Sequence, residues 1–197
     1  MKKIVGIVIG VVILIIFLII NPIVKISAGE RGVVLNWGAV SDQVLGEGIH
    51  WVTPIKTSVK QLDVKVQKEE TGSGAASKDL QTVNAKVALN YHLDPEKVNR
   101  LWQNVGSDYK ERIIDPAIQE AIKAITAKYT AEELITKRQL VKEDIKSLLG
   151  ERLAKEFVLV DEFSIVDFNF SESFNTAIEA KVTAEQNALA AKNKLEQ

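Results

Sequence analysis

Ser77, Lys78 and Asp79 stand side by side, and His92 lies on the same stretch, SKDLQTVNAKVALNYHL (77–93). A serine beside a lysine is the raw material of a nucleophile–base pair, and a histidine is the usual proton carrier. Such chemistry needs a rigid mount and a third group that orients the base. The run before it, Thr71-Gly72-Ser73-Gly74-Ala75-Ala76-Ser77, reads as a flexible loop by composition, which is a poor mount. The other histidine, His50, sits between Ile49 and Trp51. Zinc takes about four ligands. With two histidines and no cysteine in the chain, neither a metal centre nor a cofactor is expected. P-loop, HExxH, GxSxG and dinucleotide patterns are absent, so no catalytic residue is assigned.

The elements around these residues explain the polar cluster differently. Val83, Ala85, Val87, Leu89, Tyr91 and Leu93 alternate with Thr82, Asn84, Lys86, Asn90 and His92. Strict period-2 alternation predicts a half-buried strand with His92 and both asparagines on the face away from the core. Lys86, Asn90 and His92 are then candidates for contact with a neighbouring subunit. Leu62, Val64 and Val66 predict another half-buried strand, and Gly32–Gly38 a short one closed by glycine. Gly46 and Gly48 bracket a turn.

From Asp94 the period becomes helical, with Pro95 in the first turn and Val98, Leu101, Trp102 and Val105 on one face. Pro116 predicts a new helix start or a kink. Thr130 with Glu133 forms a capping box, and Thr136 with Gln139 reads as a second one. The latter would open a helix to about Glu156 that buries Leu140, Ile145, Leu148, Leu149 and Leu153. Val158–Phe170 reads as extended, with a phase shift near Ile165–Val166. Ser171 caps a last helix, rich in Ala, Glu and Lys, whose thin seam is Phe174, Ala177, Ile178, Val182 and Leu189. Such a helix is marginal alone in water. It reads as the start of a coiled-coil assembly helix, with Phe174, Ile178, Val182 and Leu189 as interface candidates. It carries no stop signal at Gln197, so the natural chain is expected to continue.

Composition sets the outer limits. The chain has 197 residues, 46% hydrophobic and 26% charged, with 25 basic against 26 acidic groups and a net charge of −1. That balance gives no general pull toward nucleic acid. The run IVGIVIGVVILIIFLII (4–20) holds no polar side chain. About 20 such residues span a hydrocarbon core of roughly 30 Å. A single-pass anchor over residues 1–24 is expected, with Ile4, Val8, Ile13, Phe17 and Ile20 among its lipid contacts. The alternatives are a cleaved signal, for which the core is long, and a buried soluble helix. Lys2 and Lys3 against Lys25 and Arg31 slightly favour an inside N-terminus, placing the soluble domain on the extracytoplasmic side.

Six segments in order carry a further signal: ERGVV (30–34), GEGIHWVTP (46–54), SKDLQTVNAKVALNY (77–91), GSDYKERIIDPAI (106–118), AEELITKRQLV (131–141) and FNFSESFNTAIEAKVTAEQNA (168–188). Together they resemble the prohibitin branch of the SPFH (band 7) family. The resemblance implies an α+β fold: an N-terminal transmembrane helix, an SPFH/band 7 domain over 25–170 with a twisted antiparallel sheet and packed helices, and a coiled-coil helix from 171. It implies a non-enzymatic scaffold whose copies form rings or cages on membranes, organise membrane microdomains and restrain an FtsH-type AAA+ protease. Membrane lipids, further copies and such a protease are the implied partners. In the family the GEGIHWVTP segment lies against the bilayer. For Ile49, Trp51, Val52 and Ile55 two roles are open: that contact, or packing beneath the sheet. The rival reading is a membrane-anchored hydrolase or protease accessory domain, supported only by Ser77, Lys78, Asp79 and His92.

Overall fold

The computed structural model describes residues 2–19 and 22–195. The order is α1 (Lys2–Ile19), β1 (Ile23–Ile26), β2 (Glu30–Asn36), β3 (Ala39–Leu45), β4 (Gly48–Trp51), β5 (Thr57–Asp63), β6 (Gln67–Ala76) and β7 (Thr82–Leu93). Then come α2 (Val98–Asn104), a π-helical turn (Lys110–Ile114), α3 (Asp115–Thr126), α4 (Ala131–Thr136), α5 (Arg138–Ala154), β8 (Val158–Phe170) and α6 (Glu172–Leu195). The architecture is α+β, as expected.

Helix α1 has 18 residues. Its apolar part, Ile4–Ile19, is about 24 Å long at 1.5 Å per residue, short of a core of roughly 30 Å. Among the described residues no helix is long and apolar enough to cross a membrane. Ile20, the last residue of the apolar run, lies outside the described residues.

Two compact units divide the chain. The first takes residues up to Gln67, with 91–112 and 154–159. In it β1 pairs antiparallel with β4, and β2 lies between β3 and β5, antiparallel to both. Ile26, Val34 and Leu45 form a small core on which Val24, Val52 and Val59 pack. Gly32 is required there: a Cβ would stand 2.5 Å from Ile26 Cδ1 and 2.9 Å from Val59 Cγ1. Helix α2 docks on β3, where the Asn99 side chain donates to the carbonyls of Ser41 (3.1 Å) and Asp42 (3.2 Å). The expected Leu62-Val64-Val66 strand is displaced. β5 ends at Asp63, and Val66 is exposed. Asp94, four residues before the helix begins at Val98, does not cap α2 but closes a turn onto the Glu96 N–H.

The second unit takes residues 68–90, 113–153 and 160 onward. Its sheet has the order β6-β7-β8. In β7 every odd position from Val83 to Leu93 is buried, in the register that the period-2 pattern predicts. Pro116 stands in the first turn of α3, which buries Ala117, Ile118, Ala121, Ile122 and Ile125. Thr130 and Glu133 form the reciprocal capping box that opens α4.

Three expectations fail here. Thr71–Ala76 is not a loop but the second half of β6, because cross-strand pairing overrides weak intrinsic propensity. The Thr136–Gln139 box does not form: Thr136 Oγ1 donates to the Glu132 carbonyl, and α5 opens at Arg138. With that start the buried stripe is Val141, Ile145, Leu149 and Leu153, leaving Leu140 exposed. In β8 the alternation breaks at Val166 and Asp167, both exposed, next to the expected phase shift.

Candidate functional site

Among the large apolar side chains of the first unit that face solvent are Trp37 (75% exposed), Ile49 (75%), Trp51 (70%) and Ile55 (79%). Pairing of β1 with β4 sets Ile23 opposite Trp51 and Lys25 opposite Ile49. One face of this two-stranded sheet therefore shows Ile23, Lys25, Ile49 and Trp51 outward. The intervening Val24 and Val52 pack on the small core. So Val52, named as a membrane contact, points inward, whereas Ile49, Trp51 and Ile55 point out.

Trp37 and Ile55 are held together by strand register. Asn36 pairs with Thr57, the Trp37 N–H donates to the Lys56 carbonyl at 2.8 Å, and Thr57 Oγ1 donates to Asn36 Oδ1 at 3.0 Å. The Lys56 N–H closes onto Pro54 and the Thr57 N–H onto Thr53. Both residues have left-handed backbones, with φ of 51° at Trp37 and 68° at Ile55. A tryptophan and a β-branched isoleucine in that region are strained by roughly 1–3 kcal/mol each, and persist only where their surroundings over-determine them. Here that strain holds two apolar side chains in water. From Gly48 to Leu62 the chain carries Lys56 and Lys60 and no carboxylate. Exposed tryptophan and isoleucine beside lysine suit the interface of a bilayer. Trp37 escaped sequence reading, though Asn36-Trp37-Gly38 is visibly a turn. Its conformation depends on a strand 20 residues away and is not legible locally.

In α1, Ile4, Val8 and Ile13 are exposed. Phe17 lies in the same helix, and Ile20 lies outside the described residues. Among the assembly candidates, Lys86 is exposed and 3.9 Å from Glu70, while Asn90 and His92 are half-buried on β7. Phe174 and Ile178 are half-buried, and the Phe174 ring stacks at 5.1 Å from Phe170. Val182 and Leu189 are exposed, and the Lys181 ammonium reaches Glu132 on α4 at 3.0 Å.

The Ser77–Asp79 cluster has a structural task. Ser77 Oγ donates to Asp79 Oδ1 at 2.6 Å and accepts the Gln81 N–H, while the Ala131 N–H donates to the same Asp79 oxygen. The Ser77 hydrogen bond, then that of Ala131, holds the Asp79 carboxyl below its ordinary range. Leu80 completes this turn with a left-handed backbone, φ 61°, and its side chain in solvent. His50 is half-buried with Nε2 2.8 Å from the Gly46 carbonyl. Among the described residues no cluster of His, Cys, Asp and Glu suits a metal ion.

Comparison with known proteins follows the same line. A family described as "SPFH domain / Band 7 family" matches residues 24–197. Mitochondrial prohibitin complex protein 1 of Caenorhabditis elegans is 31% identical over 165 residues, 83% of this chain and 60% of that protein. Prohibitin 1 of Mus musculus is 32% identical over 165 residues, 83% of this chain and 61% of that protein. Prohibitin-2 of Saccharomyces cerevisiae is 32% identical over 169 residues, covering 85% of this chain and 54% of that protein. The chain thus spans 54–61% of the length of these relatives. With a family match over nearly all the residues after α1 and prohibitins among its relatives, the chain belongs to the SPFH domain / Band 7 family.

Proposed function

We propose that this chain is a non-enzymatic membrane scaffold whose copies associate into a ring or cage that organises its patch of bilayer. The observation that carries this reading is the outward set Trp37, Ile49, Trp51 and Ile55, two of them held out on strained backbone. Unmet apolar surface that is maintained against strain calls for a partner. A bilayer interface fits its tryptophans and lysines. The apolar run that α1 carries anchors the chain as a single pass, with the soluble units on the extracytoplasmic side. One of its relatives is named as a protein of a prohibitin complex, which supports self-association. Helix α6 supplies the assembly surface beyond Lys181, where Val182 and Leu189 stand exposed. Many weak contacts then close the assembly. An FtsH-type membrane protease is the proposed client, on family grounds.

Vesicle flotation of a chain lacking residues 1–21, which removes α1 and keeps β1 whole, tests the carrying observation. Binding that survives the deletion and falls on Trp51→Ala with Ile49→Ser supports the reading; no binding without α1 removes it. A strictly monomeric full-length chain after detergent extraction would sink the scaffold.

A further inference from the structure

Strand register sorts the charges of the first unit along its strands. Ile23 pairs with Trp51 and Asn36 with Thr57 at one end; Ile26 pairs with Gly48 and Glu30 with Asp63 at the other. The first end gathers Trp37, Trp51 and Ile55, and β1 starts there, four positions after α1 stops at Ile19. The strand ends and turns that form it (22–23, 36–39 and 51–57) hold a single charge, that of Lys56. The acids stand away from it. Glu30 and Asp63 close the opposite end of β2 and β5, six residues or about 20 Å along β2 from Asn36. Glu47 lies at that far end too, where it accepts the Gly29 N–H.

Those acids are also satisfied. The Glu47 carboxylate lies 3.1 Å from Arg31, Glu30 Oε2 accepts the Ser27 N–H, and Asp63 Oδ1 accepts the Lys65 N–H. Asp42, part-way along β3, pairs with Arg100 at 2.8 Å. Lys56 and Lys25, by contrast, are exposed and make no ion pair among the described residues. Lys56 adjoins Ile55, and Lys25 shares the outward face of Ile23, about 7 Å behind it along β1. Lys60 is four positions further along β5 from Lys56, about 13 Å. The headgroup layer of a bilayer is roughly 5–7 Å deep on each side. With the tryptophans at its inner boundary, Lys56 and Lys25 stand within it and Lys60 stands beyond it. A purely apolar partner would strip water from Lys56 with nothing in return. Zwitterionic headgroups carry an ammonium for every phosphate and offer these cations no net charge.

We propose that this end of the first unit selects anionic phospholipid, with Lys56 and Lys25 against the phosphates while Trp37, Trp51 and Ile55 sit at the acyl boundary. Each lysine in the headgroup layer favours an anionic surface about fivefold. The far acids do not oppose it, because about 20 Å is two Debye lengths at roughly 0.1 M salt. The inference rests on the reading that this end meets a bilayer, and it names the lipid class that the end gathers.

The three tryptophans, Trp37, Trp51 and Trp102, all lie outside α1, so their fluorescence reads the first unit rather than the anchor. Full-length chain is reconstituted in vesicles of phosphatidylcholine and phosphatidylglycerol in equal parts, with bromine on the acyl chains of one lipid or of the other. The Trp102→Phe variant leaves Trp37 and Trp51 as reporters, and the parent chain is measured beside it. Brominated phosphatidylglycerol is expected to quench several-fold more than brominated phosphatidylcholine. Lys25→Gln/Lys56→Gln is expected to bring the two to equality, as is about 1 M salt. Lys65→Gln, at the far end, is expected to leave the preference intact. Equal quenching by the two lipids in the parent overturns the inference, and so does a preference that survives in Lys25→Gln/Lys56→Gln. Strong but equal quenching keeps the bilayer reading and removes only the selection. No quenching by either lipid removes both and turns this end toward a partner protein.

Discussion

The Asp79 carboxylate accepts the main-chain N–H of Ala131 at 2.9 Å, joining the β6–β7 turn to the first residue of α4. The Lys78 N–H donates to the Tyr129 carbonyl at 2.8 Å beside it. A cluster whose serine and lysine looked like a nucleophile–base pair thus supplies a helix start with an extra acceptor. Asp79→Ala is expected to destabilise the fold by about 1 kcal/mol, the usual loss for a helix-cap acceptor. Asp79→Asn, which keeps an acceptor, is expected to lose less. Urea unfolding measures both; an unchanged midpoint for the alanine variant would show that turn and helix are uncoupled.

Trp37→Gly and Ile55→Gly separate strain from contact. Each relieves a left-handed backbone held by roughly 1–3 kcal/mol of strain, against a glycine entropy penalty of about 0.5–1 kcal/mol. The melting temperature is expected to hold or rise while vesicle binding falls. A variant that melts lower and binds as before would mean that the two side chains serve packing.

Helix register on α5 gives a sharp contrast. Leu149 is fully buried and Leu140 is 49% exposed. Leu149→Ala is expected to cost about 2–5 kcal/mol and Leu140→Ala no more than about 0.5 kcal/mol. Equal losses in denaturant titration would contradict the stripe at Val141, Ile145, Leu149 and Leu153.

Acid stability depends in part on Glu162. Lys142 Nζ lies 2.7 Å and Lys146 Nζ 3.1 Å from its carboxylate. Their hydrogen bonds, that of Lys142 first, lower its pKa from an ordinary 4.5 to about 2. A carboxyl depressed in the folded state stabilises above its unfolded pKa, and that stabilisation is lost as pH falls from 4.5 towards about 2. Glu162→Gln is expected to flatten the acid limb of the stability–pH curve in that window and to leave the curve near neutrality parallel to the original. The difference should shrink at about 1 M salt, where exposed charges are screened within roughly 3 Å. An acid limb as steep as that of the parent would remove the assignment.

Most elements were legible wherever the deciding interactions lie within a few residues. The odd-numbered apolar set of β7 specifies its buried face, because a one-residue slip would expose all of it. Thr130 and Glu133 cap α4 reciprocally, Pro116 falls in the first turn of α3, and Ser171 Oγ accepts the Phe174 N–H at the head of α6. The second capping box failed for an equally local reason. Thr136 had two partners in reach, and the Glu132 carbonyl of its own helix took its hydroxyl. α5 opens at Arg138, and Val141, four residues before Ile145, shares its buried face where Leu140 does not.

The sequence by itself determined the family, the α+β class, the face of β7 and the apolar run at the N-terminus, all carried by short-range pattern and order. Only the tertiary structure decided that Thr71–Ala76 is a strand, that Val52 turns inward while Ile49 and Trp51 turn out, and that Trp37 and Ile55 sit on strained backbone. The physical reason is the same in each case. The glycine-rich segment is extended because β7 pairs with it, and the two strained residues keep their shape because Asn36 is bonded to Thr57 across 21 positions of chain. Interactions of that range leave no periodic trace in the residues they constrain.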